Sequence, residues 1–213
     1  MPRRTPPPGA AGRPGRPRSA AADTAILEAA RAALAELGWS GLSMGDVAAR
    51  AGVAKTTLYR RWAGKNELVV DAVAVLFDGL ELPDRGSLAA DVEGVVRQFA
   101  ALLARPEART ALMAVVSEAT RDEPLRERIR VSIVERQKRL VLEGRVRAQA
   151  RGELPATPAG RDGEADAADD LIFDVIAGTV VHRALVSGQP VDEEWIGRLT
   201  TLLLGGLGAA VGG

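Results

Sequence analysis

The sequence predicts an all-α fold: an N-terminal three-helix head containing a helix-turn-helix, joined to a larger C-terminal helical body. Three observations carry this expectation. Apolar residues recur at three- and four-residue intervals along several stretches between Ile26 and Leu204. Aromatic residues make up only 3% of the chain, while Ala, Leu and Arg are abundant, a balance that favours helix over sheet. Residues 43–62, SMGDVAARAGVAKTTLYRRW, read as two short helices bent about a glycine. At 213 residues and 46% hydrophobic content, the chain can bury a real core. The organisation predicted is a disordered basic arm over 1–22, the head over 23–64 and the body over 65–213.

The net charge of zero hides a division. Residues 1–64 carry a net +6 and residues 65–213 a net −6. The N-terminal part should therefore seek a polyanion that the remainder repels. Cysteine is absent, which excludes disulfides and thiolate metal sites and fits a reducing cytoplasm. The longest apolar run, LLLGGLGAAVGG, is too short and too glycine-rich to span a bilayer, so no membrane role is expected. The basic N-terminus lacks the apolar run of a signal peptide.

The arm is rich in Pro and Gly and holds Arg3, Arg4, Arg13, Arg16 and Arg18 without an acidic residue. It cannot pack a core. Its GRPGRPR portion resembles an AT-hook, although the Arg-Gly-Arg-Pro order is replaced by Arg-Pro-Gly-Arg-Pro. Arg13, Arg16 and Arg18 are thus candidates for a narrow minor groove or for phosphates. A basic tail serving solubility, or a start codon set too early, is the plain alternative.

In the head, Asp23 is read as the N-cap of a first helix whose inner face is Ile26, Ala30, Ala33, Leu34 and Leu37. Gly38 ends it, and Trp39 covers the three-helix core. Ser43 caps a second helix, with Asp46 placed to complete a capping box. Gly52 supplies the left-handed turn and Val53 plugs the angle between the helices. The recognition helix is expected over 54–62, with Leu58 and Trp62 four apart on its inner face. Lys55, Thr56, Thr57, Tyr59, Arg60 and Arg61 cover its other faces, all donors or cations. A helix of that kind suits the DNA major groove. Lys55, Thr56 and Thr57 are the candidates for base edges; Ser43, Tyr59 and Lys65 are the candidates for phosphates; Arg60 and Arg61 could serve either or be solvated. A merely charged helix surface is the alternative for the whole set.

Residues 24–73 resemble the DNA-binding domain of the TetR family of bacterial transcriptional repressors. The resemblance rests on Gly38-Trp39 closing the first helix, the Ser43-capped second helix, the Gly52-Val53 turn, Tyr59-Arg60-Arg61-Trp62, and Lys65, Glu67 and Leu68 opening helix four. Ala54 and Gly64 depart from it, standing where a side-chain cap is common in the family, and Trp62 replaces the commoner Phe. The resemblance implies a dimer whose last two helices form a four-helix interface, an inverted-repeat operator in double-stranded DNA, and a small-molecule effector bound in the body. It implies no cofactor.

Through the body, Val69, Val73, Leu76 and Leu80 mark helix four over 68–80. A break follows at 82–86, and Ser87 caps a helix with Val92, Val95, Val96, Phe99, Leu102 and Leu103 inward. After a second break at 105–107 comes a helical stretch over 107–120. Pro124 starts a long helix to about residue 152, with Leu125, Ile129, Ile133, Leu140 and Val141 inward; its many arginines read as a solvated outer face. Residues 154–165 read as a loop, and the last two helices as 169–187 and 192–204. Both last helices are apolar over more than one face, and Ala177, Gly178 and Gly188 permit close approach, which fits the homodimer interface. An apolar effector pocket is expected from Phe99, Leu103, Met113, Val116, Phe173, Ile176 and Val180, with His182 as its polar anchor; plain core packing is the alternative for each, and a structural or interface role for His182.

Two other functions compete with this one. An enzyme would need chemistry that a chain with one His, no Cys, no Walker loop and no nucleophile elbow does not display. Asp166, Asp169, Asp170 and Asp174 could gather a hard cation, but they read as a solvated first helical turn. A non-specific, nucleoid-type DNA protein driven by the arm would not need a sizeable acidic body.

Overall fold

The computed structural model describes residues 18–211, which form ten α-helices and two π-turns. Residues 1–17 of the basic arm, including Arg13 and Arg16, lie outside the described residues, as does the side chain of Arg18, while residues 18–22 are helical rather than disordered.

Helix α1 (Arg18–Gly41) begins five residues before the Asp23 cap that the sequence suggests. Asp23 lies inside the helix and forms an ion pair with Arg61. Ile26, Ala30, Ala33 and Leu34 are buried as the stripe requires, but Leu37 is exposed. The helix breaks at Gly38, whose φ of 68° and ψ of 179° take the chain out of helical geometry and end the stripe. Helix α2 (Met44–Ala51) starts with the expected capping box: Asp46 N–H donates to Ser43 Oγ at 3.2 Å and Ser43 N–H donates to Asp46 Oδ2 at 3.2 Å. Gly52, at φ 66°, closes it in the left-handed region, and its N–H donates to the Ala48 and Ala49 carbonyls.

Helix α3 (Lys55–Tyr59) is shorter than the 54–62 expected. Ala54 gives it no side-chain cap, and beyond Tyr59 the chain continues as a turn in which Arg61 and Trp62 N–H both donate to the Leu58 carbonyl at 2.9 Å. Leu58 and Trp62 are both buried against α1 and α2.

Helix α4 (Lys65–Phe77) buries Leu68, Val69, Val70, Ala72, Val73, Ala74 and Phe77, which cover most of its circumference and leave only the strip through Glu67, Asp71 and Val75. It is enclosed by α1, α6 (Pro106–Ala119) and α7 (Glu123–Ile129). One hydrophobic cluster therefore runs without a break from Ile26 and Leu58 of the head through α4 to Ala111, Val115 and Leu125. A second cluster joins Val96 and Leu103 of α5 (Leu88–Ala104) to Val180 of α9 (Asp162–Val181) and to Ile196, Leu199 and Leu203 of α10 (Glu193–Val211).

The long helix expected from Pro124 exists, but it is interrupted. Helix α7 passes through a π-turn (Arg130–Val134) into α8 (Glu135–Ala150). Apolar periodicity cannot reveal such a turn, because Leu125, Ile129 and Ile133 stay inward on either side. Helix α9 begins seven residues before residue 169, runs into a second π-turn (His182–Val186), and α10 extends seven residues past Leu204.

The arginines of α7 and α8 are not simply a solvated face. Arg147 and Arg151 converge on Asp91 of α5, which is 1% exposed; its Oδ2 lies 3.3 Å from Arg147 Nη1 and 2.9 Å from Arg151 Nη1. Asp91 Oδ1 accepts the Arg85 N–H at 2.6 Å. Glu153, just past α8, accepts the Leu88 N–H at 2.6 Å at the start of α5. Gly94 lets the 82–86 loop lie on α5, since a Cβ there would stand 2.5 Å from Pro83 Cγ. Burial would raise the Asp91 carboxyl, but the Arg85 N–H and the Arg151 and Arg147 guanidiniums outweigh it and hold it below its ordinary 3.8.

Two measurements follow. Asp91→Asn should lose about 2–3 kcal/mol in urea unfolding at neutral pH, the low side for a broken buried pair because Arg147 and Arg151 keep partial exposure. Because the folded carboxyl is depressed, that advantage is complete above its ordinary 3.8 and fades as pH falls through the lower folded value, so the two proteins should converge in acid. Ser43→Ala should cost about 1 kcal/mol by loss of the cap.

Candidate nucleic-acid interface and body cavity

The long α1 and the short α2 and α3 of the head leave one cationic face. Leu58 and Trp62 anchor α3 inward, so Lys55, Thr56, Tyr59 and Arg60 point to solvent and Thr57 is half-buried. Tyr59 is 56% exposed, an aromatic ring carrying a phenol that the head does not bury. Lys55 folds across the first turn of α2: a Cβ built on Gly45 would stand 2.8 Å from its Nζ. The ammonium therefore sits beside Ser43 and the N-terminus of α2, where backbone N–H groups also favour an anion.

The geometry separates cations that the sequence leaves equivalent. Arg61 is committed to Asp23, and Arg50 pairs with Glu36 at 2.7 Å. Lys65 donates to the Trp39 carbonyl at 2.9 Å, with its ammonium 4.9 Å from the centre of the Trp39 ring. Among the described residues of the head, Arg31 donates to the Ala72 carbonyl at 3.1 Å, and Lys55 and Arg60 have neither a carboxylate nor a carbonyl partner. Ser43 Oγ is exposed but donates to Asp46 Oδ2 at 2.5 Å.

A cavity of about 470 Å³ lies in the body, between the end of α4, α5, α6, the α7–α8 unit, the 154–161 loop and α9. Of the residues expected to line it, Phe99, Val116, Phe173 and Ile176 do. Leu103 and Val180 do not; they are buried in the second hydrophobic cluster, against α10. Met113 is exposed on the outside of α6. His182 is exposed on the second π-turn, with Nδ1 3.3 Å from Ser187 Oγ, and is no anchor of the cavity. The reason is that α5 and α9 each bury two faces. An apolar stripe shows that a residue is inside, not which of two neighbouring interiors it joins.

The polar end of the cavity is made by residues that the apolar pattern passes over. Arg145 Nε lies 3.1 and 3.0 Å from the two oxygens of Asp169, and its Nη1 donates to Thr157 Oγ1 at 3.1 Å. Burial pushes the Asp169 carboxyl above its ordinary 3.8, and Arg145 counters only part of that rise. Asp169 is thus a buried mid-helix residue rather than part of a solvated first turn, while Asp170 pairs with Lys138 at 2.7 Å. The signal available in the sequence was a carboxylate inside an otherwise apolar helical register. Among the described residues no cluster of His, Cys, Asp and Glu could hold a metal ion, and no helix is long and apolar enough to cross a membrane.

Comparison with known proteins agrees with this arrangement along its length. Residues 26–72 match the family described as bacterial regulatory proteins, tetR family, and residues 82–203 match the tetracyclin repressor-like C-terminal domain. The chain is 34% identical over 181 residues to the DNA-binding transcriptional repressor TetR of Mycobacteroides abscessus, covering 82% of this chain and 87% of that protein. Among solved structures, the TetR family transcription regulator SCO0332 superposes with a TM-score of 0.67 at 28% identity, over 87% of this chain and 97% of that one. The regulator FadR from Bacillus subtilis, solved in complex with stearoyl-CoA, shares the fold at 19% identity and a TM-score of 0.60, over 89% of this chain and 98% of that one. A cationic helix-turn-helix, an apolar cavity behind it and these matches together place the chain in the TetR family, as a DNA-binding transcriptional regulator.

Proposed function

We propose that the protein is a homodimeric repressor that occupies an inverted-repeat operator and is released by a largely apolar effector. The observation that carries the DNA half is the exposed set on α3: Lys55 and Arg60 without carboxylate partners, beside the 56% exposed Tyr59. Lys55, Thr56 and Thr57 lie at the start of α3, the end that meets base edges when such a helix enters the major groove. Tyr59, one turn on at the end of α3, and Ser43 serve the phosphates, with Lys65 held nearby through Trp39. Arg60 adds a free cation, whereas Arg61 holds the head together through Asp23.

The dimer reading is supported by apolar side chains left on the outer faces of the last two helices. Leu171 on α9 is 62% exposed and Leu202 on α10 is 70% exposed, with Gly178 offering close approach. A two-fold axis there would present two α3 helices to successive major-groove faces, about 34 Å apart on B-DNA.

The effector reading is supported by the cavity. Its walls are predominantly apolar, and its charged end is already neutralised by the Arg145–Asp169 pair. An apolar molecule with a hydrogen-bonding group fits that lining without breaking a buried ion pair. Release requires that the molecule bind the DNA-free conformation more tightly than the DNA-bound one. The TetR relative from Mycobacteroides abscessus is a repressor, which favours repression over activation here.

Selection of bound sites from random duplexes should return one inverted repeat; binding of all duplexes alike at physiological salt would sink the proposal. Lys55→Ala or Thr57→Ala should change the selected sequence, with about 1–3 kcal/mol lost at the altered base pair. Tyr59→Phe should weaken operator and random DNA by the same factor, as expected for a phosphate contact. Leu202→Arg should give a folded monomer by light scattering and lose operator binding, because half-sites then bind singly.

A further inference from the structure

The geometry points to Arg128 as the positioning residue through which the cavity sets the orientation of the recognition helix. This rests on the effector reading above and names the contact that carries it.

Arg128 is the penultimate residue of α7, next to Ile129, which lines the cavity. Its guanidinium reaches across to α4 and holds two carboxylates at once. Nη1 lies 2.9 Å from Glu67 Oε1 and Nη2 lies 3.1 Å from Asp71 Oδ1. Each carboxylate uses its other oxygen to hold the segment that follows α3. Asp71 Oδ2 accepts the Trp62 Nε1–H at 2.9 Å, and Glu67 Oε2 accepts the Ala63 N–H at 2.5 Å. One cation on the helix whose Ile129 lines the cavity therefore fixes two consecutive residues at the exit of the recognition helix, by two parallel charge-assisted bridges. Trp62 is the inward anchor of α3, so its indole cannot shift without turning the helix.

The same wall grips the far end of α4. Gln137 lines the cavity, and its Nε2 donates to the Phe77 carbonyl at 3.3 Å. Between Arg128 and Gln137 lies the π-turn, which carries Ile133 into the cavity lining. Single π-turns inside α-helices are found frequently at functional sites. Filling the cavity against Ile129 and Ile133 displaces this unit, and Arg128 converts that displacement into a movement of Trp62.

The test is a double-mutant cycle that needs no identified effector. Val141→Phe fills the cavity from α8, where Val141 forms part of its wall. Arg128→Met keeps the aliphatic stem and removes the bridge. Two quantities are read: affinity for the selected operator, and the indole N–H resonance of Trp62, assigned among three tryptophans by its loss in Trp62→Phe. Val141→Phe should lower operator affinity about tenfold with Arg128 present and less than about twofold with Arg128→Met, a span typical of coupling between sites. It should shift the Trp62 resonance only when Arg128 is present. Trp62→Phe, which keeps the ring and removes the donor, should suppress the affinity change partially, since the Glu67–Ala63 bridge survives. If Arg128→Met does not fold, Arg128→Lys, which can hold one carboxylate but not both, takes its place with the same expectation of reduced coupling. A purely structural Arg128 would lower stability yet leave the effect of Val141→Phe equal in both backgrounds, with the Trp62 shift unchanged; that result overturns the inference alone. No effect of Val141→Phe in either background removes the effector reading, and the inference with it.

Discussion

Helix α4 has almost no solvent face, and the rest of the molecule is arranged to enclose it. Seven of its residues are buried over most of its circumference, so it cannot lie on a surface as an ordinary amphipathic helix does. Burying a Leu or Val side chain contributes about 1.5–3 kcal/mol, so an unenclosed α4 would forfeit more than the marginal stability of a domain. The head supplies α1 for one side and the body supplies α6 and α7 for the others. Its polar residues Glu67 and Asp71 face the one direction where α7 offers Arg128.

That constraint explains why head and body share one hydrophobic cluster although their charges are opposite. A DNA-reading unit joined by a loose tether would respond weakly to events in the body. Here the helix that roots the head is also the floor of the body's core, and its last turn, through Phe77, reaches the cavity. Close-packed interiors transmit displacement rather than absorb it. The buried Asp91 with Arg147 and Arg151 pins α5 to the end of α8.

The cavity and the second hydrophobic cluster illustrate how one apolar stripe divides between two uses. On α5, Val95 lines the cavity, Val92 and Phe99 line it and also touch the second cluster, and Val96 and Leu103 are buried within that cluster. Successive members of this set are one to four positions apart and belong to the same residue classes. Only the placement of α8, α9 and α10 decides which of them meets a void and which meets another side chain.

The sequence by itself determined the elements whose signals are local. The Ser43 capping box, the left-handed Gly52, the inward pair Leu58 and Trp62 and the Ser87 cap each depend on residues within a few positions, and each stands as its chemistry requires. The all-helical class followed from composition and from a period that backbone geometry imposes. Tertiary structure alone decided which cations remain free, because Arg61 and Lys65 find Asp23 and Trp39 from distant parts of the chain. It also decided that Arg145, Asp169 and Asp91 turn inward, that His182 faces out, and that a π-turn separates α7 from α8. Those outcomes depend on which helices meet and at what angle. Side-chain spacing along one helix carries no record of the helix that will lie across it.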